Sequence, residues 1–142
     1  MPGNALYWSH QTTFEATPIS ASEARAFVSG HLVDHQLRHL VDPVRLVASE
    51  LATNALVHAR SPFSVTLAAL GETVLLTVRD DSSSIPIRRA PHVMALAGRG
   101  LEIVSVISLE WGTIQADGAG RKAVWASFAI KEQPEPTPPA AN

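Results

Sequence analysis

Three polar residues recur at four-residue steps in the middle of the chain: Glu50, Asn54 and His58. In an α-helix that spacing stacks side chains one above another on a single face. A carboxylate and a carboxamide placed in this way have complementary chemistry. The amide oxygen is a hard ligand suited to a phosphate-bound Mg2+, and the carboxylate can take a proton from an attacking hydroxyl. Two further signals follow along the chain. Asp80 closes a run of strand formers, and Gly98-Arg99-Gly100 precedes an apolar segment that begins at Leu101. Paired glycines ahead of a helix allow a phosphate close to backbone N–H groups at the helix N-terminus. Each signal also has a plainer reading: a solvated helix face, a strand-end turn residue, an ordinary turn. A second series, His31, His35 and His39, has ligand-like spacing. No carboxylate or cysteine joins it at suitable spacing and His39 falls past the expected helix end, so no metal site is expected there.

These residues need elements to position them. Val44, Val47, Ala48, Leu51, Ala55 and Leu56 recur with helical period, opposite the polar stripe, and predict an amphipathic helix over 43–59. Asp42 before Pro43 has the form of a capping carboxylate followed by proline at the first helical position. Upstream, Tyr7, Trp8, Thr12, Thr13 and Phe14 predict a first strand over 5–14. Ser20 and Glu23 have capping-box spacing and predict a helix reaching about Gln36, with Ala24, Phe27, Val28, His31 and Leu32 as its buried stripe. Downstream, alternation predicts a hairpin, 63–70 and 73–79, turning at Gly71-Glu72. A polar, proline-bearing loop spans 80–97, then a short helix at 101–107 and a last hairpin, 111–116 with 122–130. Strands that come in adjacent pairs exclude a doubly wound sheet. The expected fold is an α+β two-layer sandwich, a mixed and largely antiparallel sheet covered on one face by about three helices. Residues 1–131 are expected to form one domain, and 132–142, with four prolines in eleven residues, a disordered tail.

Composition narrows the function. The 142 residues are 46% hydrophobic, enough for one domain with a real core. Eleven Lys and Arg against 13 Asp and Glu provide no general attraction to nucleic acid or membrane. There is no cysteine, which removes disulfides, zinc fingers and thiol catalysis together. No signal peptide or membrane-length apolar run is visible, so a cytoplasmic location is expected.

The order of the three polar elements resembles the GHKL ATP-binding fold of histidine kinases, type II topoisomerase ATPase domains and anti-sigma-factor serine kinases. ELATNALVHA (50–59) is similar to the family's N box, VRDDSSSIP (78–86) to a divergent first glycine box, and GRGLEIV (98–104) to the second. ISLEWG (107–112) and KAVWASF (122–128) resemble the small stand-alone bacterial members related to anti-sigma-factor kinases, and the resemblance covers about 14–128. It implies that Asn54 holds Mg2+ bridging the phosphates of ATP and that Glu50 is the general base. It implies that Asp80 accepts a hydrogen bond from the adenine amino group, and that Gly98, Arg99, Gly100 and Leu101 hold the phosphates. His58 would have a supporting role, and 82–97 would be a lid over ATP. Where the family has Asp-x-Gly-x-Gly, this chain has Asp80-Asp81-Ser82-Ser83-Ser84, without either glycine.

The implied activity is that of a Mg-ATP-dependent serine/threonine protein kinase. Its substrate would be a small anti-sigma-factor antagonist, its second partner a sigma factor, and it could form a homodimer. Direct binding to nucleic acid or membrane is not expected. A non-catalytic partner-switching module and a simple ATP hydrolase are the alternatives.

Overall fold

The computed structural model describes residues 6–59, 61–80, 104, 107–115 and 122–131. Strand β1 is Leu6–Phe14, helix α1 Ile19–Asp34 and helix α2 Val41–Asn54; β2 is Phe63–Gly71, β3 Thr73–Asp80, β4 Glu110–Gln115 and β5 Lys122–Ala129. A 3₁₀ turn, Arg38–Leu40, leads into α2, and a π-helical turn, Ala55–Ala59, leads out of it.

The strands form one sheet in the order β1-β2-β3-β5-β4. All four pairings are antiparallel, so among the described residues the sheet is not mixed. The inner position of β5 follows from its side chains: Ala123, Ala126 and Phe128 are buried, whereas β4 exposes Thr113 and Ile114. Gly71 closes the β2–β3 turn at φ +64°, a conformation in which a Cβ would be strained.

Register decides which face the helices cover. Phe14, Phe63 and Asp80 lie abreast across three strands, as do His10, Leu67 and Leu76. The buried row Val74, Leu76 and Val78 of β3 continues onto Ala126 and Phe128 of β5. Helix α1 packs over β1 and β2, and α2 over β3 and β5. The result is a two-layer α+β arrangement with a core of Val28, Leu32, Val44, Val47, Leu51, Phe63, Leu67 and Leu76. Two α-helices are described rather than three. Of the third expected helix, 101–107, only Val104 and Ile107 are described; both are helical, and Val104 is fully buried.

Both helix starts differ from the sequence expectation. Helix α2 begins at Val41 with Leu40 as its N-cap, because the preceding 3₁₀ turn already has the chain coiled. Asp42 and Pro43 therefore lie inside the first turn. There the missing proline N–H has no intrahelical acceptor to lose, and the carboxylate faces the positive end of the helix. Helix α1 begins after Pro18 without a side-chain cap. Ser20 is buried and donates its hydroxyl to the Glu15 carbonyl, with Thr17 Oγ1 at 3.1 Å, so it braces the β1–α1 turn and makes no capping box. The end of α1 is a Schellman arrangement. Leu37 N–H bonds Leu32 O, Gln36 N–H bonds Val33 O, and Gln36 takes φ 62° where glycine is usual. Leu37 and Leu32 are both buried, supplying the apolar contact that accompanies this cap.

Candidate functional site on the flank of the second helix

Helix α2 divides its surface sharply. Val44, Val47, Ala48, Leu51 and Ala52 are buried, while Glu50 and Asn54 are half-buried beside that stripe, one turn apart. The reason is local: four residues advance a helix by slightly more than one turn, so the pair shares a flank. The α-helical period ends at Asn54. The next five residues, Ala55–Ala59, form a π-helical turn with more residues per turn, and the His58 side chain lies outside what is described. π-helical turns within helices occur frequently at functional sites.

Register places Asp80 on the helix-covered face of the sheet. It is the last residue of β3, opposite Phe63 on one side and Lys122 on the other. It therefore continues the row Val74-Leu76-Val78 on the helix-covered face, where it is half-buried. Both α2 and the π-helical turn contact β3, so α2 and the strand ending at Asp80 belong to the same packed unit. Lys122 was not singled out from sequence. Its place opposite Asp80 depends on β5, not β4, pairing with β3.

The remaining expected site residues, Gly98, Arg99, Gly100 and Leu101, lie outside the described residues, as do Asp81, the expected lid 82–97 and the tail 132–142. What the described part offers is an oxygen donor set: one carboxamide, one carboxylate on the helix and one carboxylate at the strand end. Such a set suits Mg2+ held mainly by phosphate oxygens and waters, with the protein supplying one or two ligands. Among the described residues no group of three His, Asp or Glu side chains is placed to hold a metal ion.

Two features away from this flank were missed in the sequence. An open groove of about 340 Å3 faces α1 and is lined by Arg25, Asp42, Arg45, Leu46 and Ser49. Arg25 donates a 3.0 Å hydrogen bond to Ser49 Oγ across it, and neither Glu50 nor Asn54 lines it. The second is His10, which meets His31 and His35 between β1 and α1. The signal was available as alternation, Trp8, His10, Thr12 and Phe14, matched to the helical steps of Phe27, His31 and His35. Among the described residues no helix is long and apolar enough to cross a membrane. In comparison with known proteins, no family model matches this sequence and no curated protein does.

Proposed function

We infer that this chain is a stand-alone Mg-ATP-dependent serine/threonine kinase of the anti-sigma-factor type, acting on a small antagonist protein and controlling a sigma factor by partner switching. The observation that carries the reading is the flank of α2. Glu50 and Asn54 sit half-buried one turn apart, on a helix packed against the strand that ends in Asp80. Polar residues confined to one flank beside a complete core stripe are available for a ligand without loss of packing.

In this reading Asn54 presents its amide oxygen to Mg2+ and Asp80 orients the adenine. Bound Mg-ATP supplies the phosphoryl group. Glu50 accepts the proton of the incoming serine or threonine hydroxyl as its oxygen bonds to the γ-phosphorus and the bond to the ADP oxygen breaks. The protein's contribution is then mainly positioning and charge complementarity, which is what phosphoryl transfer demands. Without glycines in the first glycine box a positive-φ backbone there would carry a steric cost, so weak nucleotide binding is part of the reading. The same fold without chemistry, as a nucleotide-binding or partner-switching module, is the second reading, favoured by that one departure. Calorimetric titration with Mg-ATP, followed by phosphotransfer to candidate antagonists, tests both. Heat and transfer support the kinase. Heat without transfer supports the module, and no heat at millimolar ATP from folded protein removes the kinase.

A further inference from the structure

Among the described residues strand β1 is an edge strand, hydrogen-bonded to β2 alone, and none of its described side chains is fully buried. Its attachment to the helical layer is a ladder of rings. Phe14 meets Phe27 edge-on at 6.2 Å. His10 stacks on His31 at 3.8 Å with the planes 11° apart, and Trp8 stacks on His35 at 3.9 Å and 3°. The two histidine rungs coincide because the two residues from His10 to Trp8 advance a strand by about 6.7 Å and the four from His31 to His35 advance a helix by about 6 Å, nearly the same step. Strand numbers descend as helix numbers ascend, so the ladder runs from Phe27, midway along α1, to His35 at its C-cap.

Two of the rungs are cross-linked. Nε2 of His10 lies 2.9 Å from Nε2 of His35. A hydrogen bond between two ring nitrogens requires that one carry the proton and the other offer its lone pair. With both rings cationic, both nitrogens carry N–H and the bond cannot exist. His31, stacked on His10 and capped edge-on by Phe27 at 4.7 Å, is held below the ordinary histidine range. Burial is the chief cause, followed by the charge of His10, with His35 adding to it and Asp34 opposing. Among the described residues no further titratable group faces the seam from the elements packed on it. On β2 the residues opposite Trp8 and His10 are Ala69 and Leu67, Tyr7 lies on the other face of β1, and His39 is bonded to the Ile130 carbonyl. The stacked His10 and His31 rings keep their in-plane lone pairs in nearly parallel planes, and among the described residues no group of three His, Asp or Glu side chains is placed to hold a metal ion.

We propose that the His10–His31–His35 seam is an acid-opened clasp: neutral, it holds β1 against α1, and on acidification it releases this edge strand while β3, β5 and α2 stay folded. The separation is possible because the fully buried core lies in the helices, β2, β3 and β5, and not in β1. The linkage has a definite sign. A histidine whose folded-state value is lowered is less readily protonated in the folded protein than unfolded. Its stabilisation is complete above the unfolded value of about 6.5 and is lost as pH falls through that value toward the lowered one.

Amide hydrogen exchange of the whole chain at about pH 7.5 and about pH 5.5, expressed as protection against the intrinsic rate, reads the clasp directly. Protection of the β1 amides bonded to β2 should fall about tenfold or more at the lower pH, with β3 and β5 unchanged. His31→Phe, which keeps a ring in the stack and removes its charge, and His10→Gln, which removes the imidazole pair, should each reduce that fall. Full β1 protection at the lower pH overturns the proposal. So does a parallel loss in every strand, which is ordinary acid unfolding, or a fall of the same size in both variants, which places the titrating group elsewhere. If neither variant folds, the wild-type comparison of β1 with β3 and β5 decides.

Discussion

Two regions of this molecule carry polar residues at the same helical step, and they have opposite fates. On α2, Glu50 and Asn54 lie four apart and stay half-buried on a flank that no ring among the described residues stacks on. On α1, His31 and His35 also lie four apart, but a strand crosses them and each takes a ring from it in face-to-face contact. A four-residue step says only that two side chains share a face. Whether they present chemistry or make a core edge is settled by what the chain lays across that face, here β1 with Trp8 and His10 at matching intervals. Polar spacing on a helix is thus a question about the opposing element as much as about the helix.

The contrast can be tested by substitution, beginning with the core between the two. Leu51→Ala, next to Glu50 but in the buried stripe, should lower unfolding free energy by about 2–5 kcal/mol in chemical denaturation. His31→Ala removes the stack on His10 and the edge contact with Phe27, so a loss of about 1–2 kcal/mol at neutral pH is expected. If His31 cost no more than an exposed residue, the seam would not be a packed edge and the comparison would fail. Because the His31 value is lowered by burial and by His10, wild-type stability should decline as pH falls below about 6.5. His31→Phe should flatten that decline, as pH-dependent melts would show. Glu50→Ala should leave unliganded stability within about 1 kcal/mol, since that side chain borders the core without belonging to it. The smallest effect belongs to the cap at the end of α1. Gln36→Gly relieves a positive φ and should stabilise by about 0.5 kcal/mol net of the added chain entropy.

Local patterns were the readable part of this sequence. Alternation located β2 and β3 within a residue or so of their ends, and the helical period of Val44 to Leu56 separated the core stripe of α2 from Glu50 and Asn54. Asp80 at a strand end followed from the same hairpin. What escaped depends on contacts distant in sequence or on backbone detail. The His10–His35 bond spans 25 residues, and nothing in either segment alone reveals the other. The all-antiparallel order required knowing that β5, not β4, takes the inner position. Ser20 looked like a cap because its spacing to Glu23 was right, yet the helix begins one residue before it, and its hydroxyl turns back to Glu15. The π-helical turn after Asn54 has no spacing signature, since the apolar pattern simply continues through Ala55 and Leu56.

The central claim is that the flank of α2 is a nucleotide site in which its two polar residues do different work. Titrating wild type, Asn54→Ala and Glu50→Ala with Mg-ATP in parallel, by calorimetry, and then measuring phosphotransfer, addresses it most directly. Wild type should bind weakly, Asn54→Ala should lose most of the binding heat and all transfer, and Glu50→Ala should bind as wild type. Transfer by Glu50→Ala should nonetheless fall by about 10²–10⁴, the usual loss when a general base is removed. If wild type gives no heat, or both variants bind and transfer as wild type does, Glu50 and Asn54 are a solvated helix face and the account is contradicted at its centre.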